Sequence, residues 1–226
     1  VIYDKAYDDA KSYGIYIENS KDIDIKNNRI NETIIGIFAK NSTDVEIFNN
    51  EIANTSISRW ACTGGSGFSI VYSADVWFVN VTDSKIYENR IYGRDDACSC
   101  VNIFLVRSDN NNIESNQIGS NDELYYYILL AGSKNNLVAN NQMIESYTGI
   151  ETAGVSNADD EVYYSSCSGK IFSTNNRFVN NKVMSIIIGC ASNETFENTE
   201  FFKGDCGRQG QCSYIDLESD LMVNIY

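Results

Sequence analysis

The chain contains neither histidine nor proline. Without histidine there is no imidazole acid or base, no histidine metal ligand, and no Ser–His or Cys–His nucleophile pair. The lack of proline suits long ladders of strands, where a missing N–H would leave a gap. No run of about 18 apolar residues occurs, so a membrane-spanning helix is not expected. Basic residues are scarce as well: 17 stand against 31 acidic ones, a net charge of −14. That balance argues against a nucleic-acid partner.

What remains is 226 residues, enough to bury a substantial core. The hydrophobic fraction of 43% and aromatic fraction of 12% are those of a folded chain. Seven cysteines (Cys62, Cys98, Cys100, Cys167, Cys190, Cys206 and Cys212) include no pair of CxxC knuckles, so disulfides are expected rather than a structural zinc. Five Asn-x-Ser/Thr sequons, at Asn31, Asn41, Asn54, Asn80 and Asn193, are N-glycosylation candidates and fit the same compartment. An extracellular or cell-envelope location is expected, with any signal peptide already removed before Val1. The odd cysteine would be free or joined to another chain.

The 28 asparagines mark a repeat. Gly14-Ile-Tyr-Ile-Glu-Asn-Ser-Lys-Asp-Ile-Asp-Ile-Lys-Asn-Asn-Arg-Ile30 returns 22 residues later as Gly36-Ile-Phe-Ala-Lys-Asn-Ser-Thr-Asp-Val-Glu-Ile-Phe-Asn-Asn-Glu-Ile52. Further copies run over 75–91, 102–118 and 127–143, with degenerate ones at 149–178 and 185–201 and a partial unit at 213–226. Each unit holds two short runs of alternating apolar residues and a closing apolar residue. Three short strands per turn, repeated about eight times, predict an all-β, right-handed parallel β-helix whose coils stack about 4.8 Å apart. A single domain over 1–226 follows, with insertions near 53–74 and 156–169, a Cys206–Cys212 loop and a final strand. Asparagine in register at Asn28, Asn50, Asn89, Asn116, Asn141 and Asn176 predicts left-handed turn residues and an amide ladder along the axis.

This unit resembles the repeat of the pectate-lyase-like parallel β-helix superfamily, and especially its Asn-rich versions on microbial surface proteins. The resemblance covers essentially the whole chain and implies the fold. It leaves function open among lyases, hydrolases, epimerases, adhesins and envelope proteins. The resemblance implies histidine in polygalacturonase-like hydrolases and in alginate-epimerase-like sites, and this chain has none. A lyase would need a basic residue and a bound Ca²⁺. A glycosidase would need paired carboxylates, for which Asp95 and Asp96 are the weak candidates.

Asp22, Asp44 and Asp83 share one register and are possible Ca²⁺ ligands; Asx turns, each carboxylate bonding its own backbone, are the preferred reading. No other cofactor is implied.

The outward positions of the first strand read Tyr16, Phe38, Trp77, Phe104, Leu129, Glu151 and Ile187, whereas those of the second read Asp24, Glu46 and Lys85. One sheet is thus expected to be apolar on both faces, and its outer stripe must be covered. The 53–74 insertion, a neighbouring subunit or a stacked sugar chain could do so. Both ends of the solenoid lack a recognisable cap. The expected role is a non-catalytic structural subunit of a surface layer, sheath or filament, assembled with copies of itself. The alternative is a polysaccharide-active enzyme or glycan-binding spike.

Overall fold

The computed structural model describes residues 12–53, 55, 74–92, 101–119, 128–144, 149–156, 162–163, 169–183, 186–201, 215–217 and 223–225. Among these there are strands, bridges and turns but no helix. The first coil holds β1 (Tyr13–Glu18), β2 (Lys21–Lys26) and β3 (Arg29–Asn31), and the second β4 (Ile35–Lys40), β5 (Thr43–Phe48) and β6 (Glu51–Ala53). The third holds β7 (Ala74–Val79), β8 (Lys85–Tyr87) and β9 (Arg90–Tyr92), and the fourth β10 (Val101–Val106), β11 (Asn112–Glu114) and β12 (Gln117–Gly119). The fifth is β13 (Ile128–Ala131), β14 (Leu137–Ala139) and β15 (Gln142–Ile144). The sixth is β16 (Ile150–Val155), β17 (Val162–Tyr163), β18 (Ser173–Thr174), β19 (Arg177–Val179) and β20 (Lys182–Val183). The seventh is β21 (Ile186–Ile188), β22 (Ala191–Ser192), β23 (Glu194–Glu197) and β24 (Glu200–Phe201), and the last is β25 (Ile215–Leu217) and β26 (Val223–Ile225).

Equivalent strands stack into three parallel sheets. The first runs β1-β4-β7-β10-β13-β16-β21-β25, the second β2-β5-β8-β11-β14-β19-β23-β26 and the third β3-β6-β9-β12-β15-β20-β24. The register is that of the sequence repeat: Ile15 pairs with Ile37, Ile37 with Val76, Val76 with Ile103 and Ile103 with Ile128. The expected units appear as eight coils. Two departures occur among the described residues: β17, within the 156–169 insertion, turns back antiparallel to β16, and β18 pairs with β22 in a separate two-stranded sheet.

Inside the coil each station is filled by the same kind of side chain. Ile25, Ile47, Ile86, Ile113 and Val138 stack along the second sheet, and Ile30, Ile52, Ile91 and Ile118 along the third. β-Branched residues suit such columns, because their restricted χ1 costs little in a strand. Each buried isoleucine contributes about 1.5–3 kcal/mol of hydrophobic stabilisation.

The corners explain both the asparagines and the absent proline. Asn19, Asn41, Asn80 and Arg107 share one corner, Asn27, Asn49, Glu88 and Ser115 another, all with φ between 47° and 57°. Left-handed φ favours asparagine and is closed to proline. The N–H groups at the first of these corners also bond the next coil, as from Asn41 to the Val79 carbonyl at 3.0 Å.

One expectation needs correction. The left-handed residue is the one before each of Asn28, Asn50, Asn89, Asn116 and Asn141, and from Asn50 onward these asparagines point inward and are buried. Their carboxamides do form the ladder. Asn89 Oδ1 accepts the backbone N–H and Nδ2–H of Asn50, both at 3.0 Å, while its Nδ2 donates to Asn116 Oδ1 and the carbonyls of Ile47 and Tyr87. The column ends on Asn181, not Asn176. Asn176 belongs to a second, parallel column through Ser84, Asn111 and Asn136.

Candidate functional site

The outer face of the first sheet is where the sequence places an apolar stripe, and the strand register aligns it as expected: Tyr16, Phe38, Trp77, Phe104, Leu129, Glu151, Ile187. Rings follow one another up the coils, with Tyr16 stacked on Phe38 at 5.4 Å and Trp77 against Phe104 at 5.3 Å. The stripe is not open, however. Phe38, Trp77, Phe104 and Leu129 are buried within the single chain, where with Ile35, Val79, Val101 and Val155 they make a second hydrophobic core. Tyr16, 49% exposed, meets solvent at one end of the row, its hydroxyl donating to Glu18 Oε2 at 2.8 Å, and Ile187 is half-buried. Four of the five rungs are therefore unavailable to a sugar or a neighbouring copy, because the chain's own residues cover them.

Part of that arrangement is visible at Thr55, within the 53–74 insertion. Its hydroxyl donates to Asp75 Oδ1, and Asn102 Nδ2 donates to Asp75 Oδ2 at 2.7 Å. All three side chains are completely buried. Burial pushes the Asp75 carboxyl up to about 7, against the lowering effect of the Thr55 and Asn102 hydrogen bonds. Asn102 Oδ1 is buried without a partner.

A second buried acid closes the second asparagine column. Glu194 stands in register after Asn176 and accepts from it twice, at Oε2 from the backbone N–H and at Oε1 from Nδ2, both at 3.0 Å. Desolvation raises its carboxyl to about 8 despite these donors. Neither acid was singled out by sequence reasoning. The signal was available in the alignment: Asp75 and Asn102 occupy the station of Gly14 and Gly36, and Glu194 the station of Asn111, Asn136 and Asn176.

The remaining candidates scatter. Asp22, Asp44 and Asp83 lie in one register with φ of 57°, 52° and 55°, turn geometry for each, and Asp44 faces Lys21 Nζ at 3.5 Å. No group of three or more cysteines and acids that could hold a metal occurs among the described residues. Asn31, Asn41, Asn80 and Asn193 are exposed. Asn80 Nδ2 donates to Asn41 Oδ1 at 3.1 Å and Asn41 Nδ2 to Asn19 Oδ1 at 3.4 Å, an outer amide column beside the buried one. Cys190 is buried and disulfide-bonded. Asp95, Asp96, Asn54 and the other six cysteines lie outside the described residues.

The open faces of the second and third sheets carry ion pairs between coils: Lys85–Glu46 at 2.8 Å, Arg29–Glu51 at 3.3 Å, Arg177–Glu197 at 3.0 Å and Lys182–Glu200 at 3.5 Å. Exposed pairs of this kind add little stability, but they relieve like-charge repulsion along the stack. Phe48 and Tyr87 stack at 4.9 Å with Lys26 Nζ 5.5 Å from the Phe48 ring centre, so the ring faces are turned to each other and to the cation.

Stacked parallel strands in three sheets, filled at fixed stations, match the family model described as right handed beta helix region over residues 13–201. The chain belongs to the right-handed β-helix family. No curated protein matches it. Two solved structures, of the periplasmic alginate epimerase AlgG and of a point mutant, are similar over 95% of this chain at 16% identity and a TM-score of 0.47. This chain covers 47% and 48% of those two, and so spans about half their length. Among the described residues no helix is long and apolar enough to cross a membrane.

Proposed function

We propose that this β-helix is a non-catalytic structural protein of the extracellular space or cell envelope that associates with copies of itself. One observation carries the reading. Buried carboxamides run unbroken from Asn50 to Asn181, tying five coils into one body through hydrogen bonds shielded from water. A rod of this kind resists shear and unfolding, which a layer, sheath or filament requires. The seven cysteines favour an oxidising compartment. With most of the outer stripe covered, the contact between copies shrinks to the first coil, where Tyr16 is exposed and Ile15 and Ile23 are only partly buried. Light scattering and electron microscopy of the purified protein test this. Ordered oligomers weakened by Tyr16→Ser are expected, and a strict monomer at high concentration would refute self-association.

The rival reading, a polysaccharide-active or glycan-binding protein, draws on the same exposed Tyr16 ring beside Glu18. Incubation with neutral and acidic polysaccharides separates the two. No new reducing ends or unsaturated products are expected, and turnover abolished by Asp95→Ala or Asp96→Ala would overturn the structural role.

A further inference from the structure

The Thr55–Asp75–Asn102 cluster has a chemistry that neither the fold nor the proposed role requires. A hydroxyl, a carboxyl and a carboxamide meet away from water, with the two oxygens of Asp75 holding the other two groups: Thr55 Oγ1 on Oδ1 and Asn102 Nδ2 on Oδ2. Bonded to the same carboxyl, the nucleophile and the amide are confined to one small space, the condition under which intramolecular reactions gain most. An alcohol, an acid–base group touching it and a scissile C–N bond are the parts of an acyl transfer.

We propose that Thr55 and Asn102 form an intramolecular ester cross-link, with Asp75 as the proton carrier. Thr55 Oγ1 attacks Asn102 Cγ and a new O–C bond forms. Asp75 takes the hydroxyl proton as this happens and returns a proton to Nδ2. The Cγ–Nδ2 bond then breaks and ammonia leaves. The carboxyl ends as it began, and no oxidant, metal or other reactant enters the balance. A carboxyl raised by burial to about 7 is suited to this shuttle near neutrality. The unpartnered Asn102 Oδ1 fits the product better than the reactant, since an ester carbonyl is a weaker acceptor than an amide and loses less by being buried alone. A reaction that occurs once per molecule tolerates a slow rate. The link would fasten the start of the 53–74 insertion, at Thr55, to β10, two strands along the first sheet from β4.

Intact mass spectrometry after reduction, on protein made in a host that adds no glycans, tests the cross-link. The wild-type chain is expected to be lighter than its sequence mass by one ammonia, with the peptides containing Thr55 and Asn102 joined and released by hydroxylamine. Thr55→Ala and Asp75→Ala should restore the full mass, and Thr55→Ser should keep the link. A wild-type chain at its full sequence mass overturns the proposal, whatever the variants do. So does loss of ammonia that persists in Thr55→Ala, which would come from another asparagine. Loss of water in place of ammonia would put the bond on Asp75 and contradict the assigned roles.

Discussion

Single residues show how this chain uses acids in place of the amides that its repeat prescribes. Glu194 takes the last place of the second column, and its two oxygens accept what one amide oxygen accepts elsewhere. Its carboxyl is about 8 in the folded chain and near 4.5 when unfolded, so folding takes up a proton between those values. Stability from this group is therefore complete below about pH 4.5 and is lost as pH rises toward about 8. Asp75 adds a fall of the same sign between 3.8 and about 7. Denaturant unfolding of Glu194→Gln across this range should show a shallower decline than wild type, with the variant ahead by about 2 kcal/mol near pH 8. Parallel pH profiles would mean that Glu194 is solvated.

At the scale of elements, the first sheet is the unusual one, since it packs on both faces. Its outer core makes a contrast between two rungs of one row. Phe104→Ala, at 1% exposure, should cost about 3–5 kcal/mol. Tyr16→Ala, at 49% exposure, should change stability by less than about 1 kcal/mol. Equal small costs, measured by thermal or chemical unfolding, would show that the outer face is not packed. Much of this element-level picture was legible beforehand. The 22-residue spacing of Ile15 and Ile37 fixes the inward stations because side chains alternate with period 2, and the same count puts Tyr16 and Phe38 on one outward line, which alignment of the third repeat copy extends to Trp77. That this line is buried in the folded chain was not legible, because the repeat says which face a side chain takes and not what packs over it. The corner geometry was misplaced by one residue for a related reason. In an Asn-Asn pair such as Asn49-Asn50 the sequence does not say which partner takes the left-handed φ and which turns inward. Asp75 is hard to read from the repeat because a glycine station filled by an acid looks like a break in the pattern, whereas there it accepts a hydrogen bond from Thr55.

The whole molecule rests on uniformity along its axis. The buried ladder is continuous and directional, each coil donating backbone and side-chain N–H groups to the Oδ1 of the next. The charge of −14 is distributed along a surface where several acids face a base one coil away. Such a stack has no obvious weak plane between its second and sixth coils, so opening there should involve many coils at once. Native-state hydrogen exchange resolved by residue tests this directly. The account predicts that the backbone amides of Asn50, Asn89, Asn116 and Asn141 exchange slowly and at closely similar rates, those of global unfolding. Rapid exchange at these amides, or rates that differ coil by coil, would contradict it.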